Sequence, residues 1–377
     1  MKKIKRGQTI GIIGAGQLGK MLALSAQAKG YRIAMYDPNP QACGFSVADT
    51  YQVGSFDDRT KLLQFIQQTD VVTYEFENID GPLLEEIAEK SYLPQGATFL
   101  QTTQDRLMEK SWLASLDIPV VAHHAVRTLQ DLQQAACALQ YPFVLKTTRF
   151  GYDGKGQEVL KTPQDLDKPE VHAIVAQGAV AEAFCPFQYE ASIIVARDLY
   201  GNIECFPAAR NEHRSGILFA SIVPLANEKV IQKMHAIAFK IAQKSELVGV
   251  CGVEFFVTEQ GEIYVNELAP RPHNSGHYTI EACSVSQFDQ HIDAICGQAL
   301  APIILHSDAL MVNILGQHVI DIETVREHFK AAHVHFYRKG ESRTGRKMGH
   351  WTCLAPNAAA ITQMLATPFL SNWRDKF

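Results

Sequence analysis

Apolar and polar positions follow two alternating patterns in the first hundred residues. Short apolar runs in TIGIIGAG, YRIAMYD and DVVTYEF predict buried strands. Between them, QLGKMLALSAQAKG and KLLQFIQQ carry apolar residues at helical spacing. Strands that alternate with helices in this way predict a parallel βαβαβ unit, which ends near Pro94.

A glycine turn joins the first predicted strand to the first predicted helix. Gly14, Gly16 and Gly19 form the pattern GxGxxG, and Asp37 ends the next strand. In a dinucleotide-binding unit, such a turn binds the pyrophosphate and the acidic residue binds a ribose. The same turn also suits another anionic group at a helix N-terminus, so the pattern leaves both interpretations open.

A second Rossmann half does not follow, and the pattern changes after Pro94. The charged amphipathic segment QDRLMEKSWLASL predicts a helix, and it leads into two strand-like segments joined by a glycine-rich loop. We therefore expect four units, over residues 1–97, 98–175, 176–300 and 301–377. The second and third are expected to mix helices and strands, and the last begins with strand-like MVNILG and HVHFY.

The bulk properties exclude several classes of protein. A chain of 377 residues is too long for one simple core, and its net charge of -5 argues against a general nucleic-acid partner. Its apolar runs fall short of the ~18 residues of a membrane span. The 8 cysteines are scattered without a CxxC pair, which is typical of reduced thiols and predicts a cytoplasmic protein without a membrane partner.

The loop in LKTTRFGYDGKGQ has the composition of a phosphate-binding site. Gly151, Gly154 and Gly156 free backbone N–H groups of side chains, beside the ammonium groups of Lys146 and Lys155. Successive exposed N–H groups next to cations cradle phosphate. The alternative is an exposed turn with solvated lysines.

Two glutamates in CGVEFFVTEQGEIYVNELAPRPHNSGH predict a metal site. A hairpin centred between Gln260 and Gly261 places Glu254 opposite Glu267. Opposed like charges destabilise a sheet, whereas oxygen ligands with few protein groups suit Mg²⁺, or Mn²⁺, completed by substrate phosphates. The alternative is a shifted register or an exposed glutamate. With the phosphate loop, the pair implies ATP as a substrate.

The segment VAEAFCPFQYEAS lies between these two motifs. Residues Ala181 to Phe187 are extended and mostly apolar, so they could offer backbone groups and a flat surface to adenine. Glu190 could accept hydrogen bonds from ribose hydroxyls. Taken alone, the segment is also compatible with an ordinary strand and turn.

Several motifs together resemble a known family. KTTRFGYDGKGQ, EAFCPFQYE, VEFFV with VNELAPRPHNSGH, and GAGQLGKML with TYEFEN resemble the ATP-grasp ligases. More narrowly, they resemble the 5-(carboxyamino)imidazole ribonucleotide synthetases of purine biosynthesis, over nearly the whole chain. The resemblance implies an α/β and α+β chain with an ATP-grasp fold. It makes 1–97 a pre-ATP-grasp half-Rossmann domain, 98–175 and 176–300 the small and large ATP-grasp subdomains, and 301–377 a C-terminal domain packed on them.

The same resemblance implies a reaction and its ligands. 5-Aminoimidazole ribonucleotide, bicarbonate and ATP would give the N5-carboxylated ribonucleotide, ADP and phosphate through carboxyphosphate, in a homodimeric ligase. Glu254 and Glu267 would hold the metal. The implied ATP contacts are Arg106, Lys146, Gly151, Tyr152, Asp153, Gly154, Lys155, Gly156, Gln157, Glu182, Ala183, Phe184, Cys185, Glu190, His213, Asn266 and Glu267.

Two further sets of residues are assigned to the other substrates. Arg271, His273 and Asn274 are expected to hold bicarbonate and the mixed anhydride, and Asp153 completes the catalytic set. The implied contacts of the aminoimidazole ribonucleotide are Gln17, Glu75, Tyr152, Asp153, Lys339, Arg346 and Lys347, the last three gripping its 5′-phosphate. Without the resemblance, the C-terminal basic run would be interpreted as a solvated face.

The chain departs from the family pattern at two places. Relatives usually have the pattern glutamate, asparagine, any residue, histidine, and this chain has Arg210, Asn211, Glu212 and His213, so Arg210 replaces the usual glutamate. Thr344 replaces a usual proline in the basic loop. The alternatives are another ATP-grasp purine ligase that uses formate or glycine, an NAD-dependent oxidoreductase, and a non-catalytic nucleotide sensor. Intact metal and phosphate residues argue against the sensor.

Overall fold

The described part of the chain contains three β-sheets that follow one another in sequence. The computed structural model describes residues 2–151 and 155–377. Three predicted site residues, Tyr152, Asp153 and Gly154, lie outside the described residues.

The first sheet contains the three strands of the predicted parallel βαβαβ unit and a fourth strand, Thr50–Val53, that was not predicted. Its strands have the order β3-β2-β1-β4, and each pair is parallel. The strands are β1 Thr9–Ile13, β2 Arg32–Asp37, β3 Thr50–Val53 and β4 Val71–Tyr74, and the helices are α1 Gln17–Ala28, α2 Arg59–Ile66 and α3 Gly81–Lys90. Apolar residues fill both faces of the central strands, as expected for a parallel sheet covered by helices.

The second sheet is antiparallel and has the order β5-β8-β6-β7. Its strands are β5 His123–Val126, β6 Phe143–Thr147, β7 Gln157–Leu160 and β8 Ala179–Ala183. The accompanying helices are α4 Thr98–Thr103, α5 Arg106–Ser115, α6 Leu129–Leu139 and α7 Pro169–Ala176. Because β8 belongs to this sheet, the sheet extends past the predicted boundary at residue 175.

The third sheet has the order β14-β13-β9-β11-β12-β15-β17-β16, with β10 paired to β9. Its strands are β9 Phe187–Arg197, β10 Ile203–Cys205, β11 Ala209–Arg214, β12 Ile217–Val223, β13 Gly249–Thr258, β14 Ile263–Ala269, β15 Asp308–Leu315, β16 His333–Phe336 and β17 Lys347–Ala355. The helices are α8 Glu228–Lys244, α9 Thr279–Ala282, α10 Gln287–Ile295, α11 Ile322–His328, α12 Ala358–Leu365 and α13 Pro368–Asp375. The C-terminal unit therefore continues the large sheet through the β12–β15 pairing.

Helix α1 joins the first sheet to the rest of the molecule. Its apolar face packs on α10 in one buried cluster that also contains Tyr337. Ser25 donates a hydrogen bond to Asp289 (2.6 Å), and Lys20 donates to the backbone C=O of Tyr337 (3.0 Å). These contacts bring the start of α1, which follows the glycine turn, next to the C-terminal unit.

Candidate active site

Two glutamates face each other across the β13–β14 hairpin. Glu254 pairs with Glu267, which confirms the predicted pairing. Next to this pair, Phe255 pairs with Val265, one residue out of the predicted register. The extra residue in β14, Asn266, forms a β-bulge that accounts for the difference.

The turn of this hairpin corrects the prediction. Thr258 donates its N–H to the C=O of Glu262 (3.0 Å), and Gly261 donates its N–H to the C=O of Thr258 (3.0 Å), so the loop has three residues rather than two. Gly261 has a φ of +74°, the left-handed conformation that closes such loops. The longer loop alone would have placed Asn266 opposite Glu254, and the bulge restores Glu267 to that position.

The carboxylate pair carries charge that the chain does not fully compensate. The side chain of Glu254 is 15% exposed and that of Glu267 45% exposed. Burial raises the pKa of Glu254, and the charge of Glu267 raises it further. Within residues 2–151 and 155–377, no three His, Cys, Asp or Glu side chains form a metal-binding group. Two carboxylates therefore suit Mg²⁺ only if phosphates and water complete its ligands.

His213 and Glu190 lie on neighbouring strands beside this pair. The Nδ1 atom of His213 is 2.5 Å from the Oε2 atom of Glu190. Burial opposes the charged form of His213, but the Glu190 hydrogen bond and the charge of Glu254 outweigh it and raise the pKa. Both residues were predicted to contact ATP, and the structure brings them together next to Glu254.

The predicted phosphate loop connects β6 to β7, as expected. Lys146 pairs with Gln157, and Thr147 donates its N–H to the C=O of Gly156 (2.8 Å). Gly156 has a φ of +71°, and a Cβ there would lie 2.8 Å from the Thr147 hydroxyl, so glycine is required at this end of the loop.

Arg106 links the loop to the carboxylate pair. Its guanidinium donates to the C=O of Thr147 (3.2 Å) and the C=O of Gly151 (3.3 Å). Its Nη2 atom is also 3.9 Å from the Oε2 atom of Glu267. The start of α5 therefore positions a cation between the phosphate loop and the predicted metal ligands.

Glu182 is buried between two lysines. Its Oε2 atom is 2.8 Å from the Nζ atom of Lys146, and its Oε1 atom is 3.2 Å from the Nζ atom of Lys110. Burial opposes ionisation of Glu182, but the two lysines outweigh it and lower its pKa to about 2. The carboxylate therefore stays charged and fixes both ammonium groups beside the loop.

The predicted adenine segment connects the small sheet to the large sheet. Ala183 ends β8, and its N–H donates to the C=O of Ala122 (2.8 Å). Cys185 accepts the N–H of Phe187, where β9 begins (2.9 Å). Phe184 between them is 46% exposed. A ligand at this connection can contact both sheets.

Arg271 follows β14 and contacts the first domain. Its Nη2 atom is 2.8 Å from the Oε2 atom of Glu77, and its Nη1 atom donates to the C=O of Pro272 (3.0 Å). Burial disfavours the charged guanidinium, but Glu77 outweighs this effect and raises the pKa of Arg271. The cation is therefore held at a fixed position between domains.

His273 lies against Glu254 rather than in open space. Its backbone N–H donates to the side chain of Gln287 (2.8 Å), and its Nε2 atom is 3.4 Å from the Oε1 atom of Glu254. The backbone N–H of Ser275 donates to Nδ1 (3.4 Å), which assigns the ring proton to Nε2. Burial and Arg271 lower the pKa of His273 well below its usual value, so the ring is neutral.

Asn274 has unused hydrogen-bonding capacity. Both polar atoms of its side chain are buried, and neither has a partner in the described part of the chain. Buried amides are normally hydrogen-bonded. An oxygen-rich ligand beside Arg271 would satisfy them.

The N–H groups of the glycine turn are bonded to the chain itself. Gly16 donates to Glu75 (2.8 Å) and Ala15 donates to Asp37 (2.8 Å). Asp37 also accepts the N–H of Asn39 (2.8 Å), so it is engaged locally rather than directed to a ribose. These contacts disfavour the dinucleotide interpretation. Gln17 is the first residue of α1 and is half-buried.

Basic residues from the C-terminal unit lie near Glu75. Burial lowers the pKa of Lys339 to about 8, with opposing contributions from Cys43 and Glu75 and a further lowering by Arg346 and Lys347. The three predicted phosphate-binding residues are thus electrostatically coupled to one another and to the glycine turn.

Comparison with known proteins identifies the family. Residues 7–104 match the ribonucleotide synthetase preATP-grasp domain, 111–288 the ATP-grasp domain, and 309–364 the phosphoribosylaminoimidazole carboxylase C-terminal domain. The N5-carboxyaminoimidazole ribonucleotide synthase of Bacillus subtilis is 46% identical over 349 residues, which cover 92% of this chain and 91% of the relative. The chain belongs to the N5-carboxyaminoimidazole ribonucleotide synthase family.

Solved structures of this synthase family share the whole fold. The Staphylococcus aureus N5-carboxyaminoimidazole synthetase complexed with ADP has a TM-score of 0.93 at 42% identity, covering 97% of this chain and 98% of that one. The Aspergillus clavatus enzyme in complex with ADP and 5-aminoimidazole ribonucleotide has a TM-score of 0.88 at 29% identity, covering 99% and 100%. These matches confirm the ATP-grasp fold with its pre-ATP-grasp and C-terminal domains.

The departures from the synthase pattern lie at the surface. Arg210 is exposed, and its guanidinium lies over the ring of Tyr189, 5.5 Å from the centroid. Asn211 points into the sheet, where it bonds the hydroxyls of Ser192 and Ser221 at 2.9 Å each. Thr344 is exposed, and the next residue takes a φ of +77°. Neither change disturbs the contacts of His213.

Sequence reasoning missed three residues that contact the predicted site residues. Lys110 and Glu77 hold the carboxylate of Glu182 and the guanidinium of Arg271, and Gln287 fixes the backbone of His273 on both sides (2.8 Å each). The helical spacing that places Lys110 on the same face as Arg106 and Leu113 could have found it. Glu77 and Gln287 lie far from their partners in sequence and carry no local signal.

Proposed function

We propose that this chain is a ligase that carboxylates 5-aminoimidazole ribonucleotide with bicarbonate, consuming ATP and releasing ADP and phosphate, in purine biosynthesis. The observation that carries the proposal is the pairing of Glu254 with Glu267. Two opposed carboxylates destabilise a sheet, so the arrangement is best explained by a cation that arrives with phosphates. The solved family complexes with ADP and with the aminoimidazole ribonucleotide support the choice of substrates.

ATP is assigned to the cleft between the small and large sheets. The lysines held by Glu182 and the loop after β6 would bind its phosphates, since both ammonium groups are fixed before ligand arrives. The connection at Ala183–Cys185 would face adenine, and the Glu190–His213 pair would face the ribose.

Glu254 and Glu267 are proposed to hold Mg²⁺, with Mn²⁺ as the alternative. When bound, the cation neutralises charge that develops on the transferring phosphoryl group. The neutral ring of His273, with its proton on Nε2, would donate to Glu254 and orient that carboxylate. Metal ligands are commonly fixed by such neighbouring donors.

Bicarbonate is assigned to the end of β14. It is a poor electrophile, so ATP would first phosphorylate it to carboxyphosphate. Arg271, fixed by Glu77, would stabilise the negative charge of the mixed anhydride. Asn274 would supply a donor and an acceptor that find no other partner among the described residues.

The aminoimidazole ribonucleotide is assigned to the region between the glycine turn and the basic C-terminal loop. Lys339, Arg346 and Lys347 would bind its 5′-phosphate, near Glu75 and Gln17. By resemblance, Tyr152 and Asp153, which lie outside the described residues, would contact the aminoimidazole ring. The exocyclic amine would then attack the activated carboxyl carbon and form the C–N bond.

An isotope experiment tests the proposed reaction. Purified protein is incubated with Mg-ATP, ¹³C-bicarbonate and 5-aminoimidazole ribonucleotide, and phosphate release and labelled product are measured together. We expect ATP turnover that needs both co-substrates and a ¹³C label on the ribonucleotide. Turnover supported by formate or glycine instead, without the label, would assign the chain to another ATP-grasp ligase.

Location and assembly remain proposals. All eight cysteines are free thiols in the structure, and no helix in the described chain is long and apolar enough to cross a membrane. We propose that the enzyme acts in the cytoplasm as a homodimer. Light scattering coupled to size-exclusion chromatography would measure its mass, and a monomer at micromolar concentration would refute the dimer.

A further inference from the structure

Helix α5 buries two ionisable side chains against the large sheet. Glu109 is 3% exposed and Lys110 is 2% exposed, although such residues are rarely buried without partners. Asp105 caps the helix by accepting the N–H groups of Leu107 and Met108. This start places positions 106, 109, 110 and 113 on the face that meets the sheet.

The two buried side chains, Glu109 and Lys110, contact the backbone on either side of Glu267. Leu268 donates its N–H to the Oε1 atom of Glu109 (2.7 Å). Lys110 donates from Nζ to the C=O of Asn266 (3.5 Å). The helix therefore holds Asn266 and Leu268, the two sequence neighbours of the proposed metal ligand Glu267. Both contacts are made to backbone atoms, so a change of the side chain at 266 or 268 would not remove them.

Strand β14 needs this support because of its place in the sheet. It is the edge strand, so alternate backbone groups point away from β13 and have no strand partner. The bulge at Asn266 also interrupts the ladder directly before Glu267. A shift of β14 by one residue would bring Asn266 opposite Glu254 in place of Glu267, and the carboxylate pair would be lost.

We propose that Glu109 is a positioning residue that keeps Glu267 opposite Glu254 by holding the N–H of Leu268. The inference rests on the proposed function only in taking Glu267 as a metal ligand. A buried carboxyl group costs desolvation free energy that an apolar side chain of similar size would avoid. Its hydrogen bond to the strand beside Glu267 gives a reason for a polar acceptor at this position.

A matched pair of substitutions isolates this hydrogen bond. Glu109→Met keeps the length of the side chain but removes the acceptor, whereas Glu109→Gln keeps an acceptor oxygen. Loss of a partner that orients a metal ligand typically weakens metal binding 10–100-fold. We therefore expect Glu109→Met to lose about tenfold or more of the Mg²⁺-dependent affinity for ADP, and Glu109→Gln to retain it.

Lys240→Met is the control for general loosening of the helix. Lys240 on α8 donates from Nζ to the C=O of Leu116, directly after α5. Removing that contact weakens the anchorage of α5 without touching β14. We expect this variant to keep the Mg²⁺ dependence of ADP binding, even if it unfolds at a lower temperature.

The experiment combines calorimetry with hydrogen exchange on the full chain. ADP affinity is measured in EDTA and in Mg²⁺, and exchange is followed at the peptide that contains Leu268. For Glu109→Met we expect unchanged affinity in EDTA, weaker affinity in Mg²⁺ and faster exchange at Leu268. If this variant does not fold, Glu109→Asp, whose shorter side chain withdraws the acceptor, carries the same expectation.

Two results would overturn the inference. One is a Mg²⁺ effect in Glu109→Met equal to that of the unmodified chain, and the other is an equal loss in Lys240→Met. Failure of the proposed function would look different, because the unmodified chain would then bind ADP in a Mg²⁺-dependent way yet give no carboxylated product.

Discussion

Glu182 and Glu254 are carboxylates on strands that face the proposed ATP cleft, the first buried and the second partly exposed, but the charges next to them differ in sign. Glu182 lies between Lys110 and Lys146, which lower its pKa to about 2 against the opposing effect of burial. Glu254 lies opposite Glu267, and burial together with that like charge raises its pKa. One carboxylate is neutralised by the chain, and the other is not.

This difference separates preorganised parts of the site from parts that need a ligand. The Glu182 group already has its counter-charges, so it can fix two lysines before ATP arrives. The Glu254–Glu267 group is electrostatically incomplete, and a divalent cation would complete it. Strongly perturbed carboxyls in a cleft are functional-site candidates for this reason.

Substitution of Glu182, whose charge is neutralised by Lys110 and Lys146, should have the largest effect on stability. Glu182→Gln would leave two buried ammonium groups without their anion, which typically costs about 3–5 kcal/mol in the free energy of unfolding. Urea unfolding measures this loss, with Glu259→Gln at the exposed hairpin turn as the control. Equal midpoints for the two variants would show that the buried pairings contribute little.

Substitution of either member of the Glu254–Glu267 pair should instead reduce turnover. Glu254→Gln and Glu267→Gln each remove a proposed metal ligand, so we expect kcat to fall by about 10²–10³-fold, as for loss of one charge-stabilising group. Circular dichroism should show an intact fold. Rates near that of Glu259→Gln at saturating Mg²⁺ would contradict the proposed metal site.

Arg271 sharpens the comparison because it is a half-buried cation that is paired with Glu77 and is still expected to contact substrate. Arg271→Ala should reduce kcat/KM for carboxylation by about 3 kcal/mol, while calorimetric Mg-ATP affinity should barely change. Glu77→Gln, which removes only the partner, should cause a smaller loss. A parallel loss of ATP affinity and thermal stability in Arg271→Ala would indicate a structural role.

Lys339 is a cation whose pKa is shifted by burial toward the neutral form, as the pKa of Glu254 is. We expect changes in its protonation to have the smallest effect on stability and substrate binding. Burial lowers its pKa to about 8, below the ordinary 10.5, so the free folded protein loses this proton before the unfolded chain does. The contribution of Lys339 to the free energy of unfolding should therefore increase as the pH rises from about 8 to 10.5. The KM for the ribonucleotide should increase over the same range, because phosphate binding needs the cation. A pH profile of KM that is the same in Lys339→Met would contradict this role.

The elements that sequence predicted are those with local patterns. Hydrophobic periodicity was sufficient for three strands of the parallel first sheet and for the β6–β7 hairpin, because each of these strands carries its own signal. It missed β3, whose residues are mostly exposed and form no apolar run. The Glu254–Glu267 pairing was also correct, but two local errors cancelled. The three-residue loop at Gly261 shifted the register, and the bulge at Asn266 shifted it back.

The contacts that sequence could not supply join distant segments. Glu77 reaches Arg271 from the first domain, and Lys110 reaches Glu182 from another element. Such pairs depend on how the domains pack, and neither residue has a local pattern that identifies its partner. The bulge likewise depends on the edge position of β14, which emerges only in the assembled sheet.

Thermal unfolding of Glu254→Gln tests the contrast between the two carboxylate groups most directly. At pH 8, in EDTA, we expect the variant to be at least as stable as the unmodified chain, because it removes a buried charge whose pKa is raised. Addition of Mg²⁺ and ADP should raise the midpoint of the unmodified chain more than that of the variant. A variant that is less stable in EDTA and gains equally from Mg²⁺ and ADP would contradict a metal site at Glu254 and Glu267.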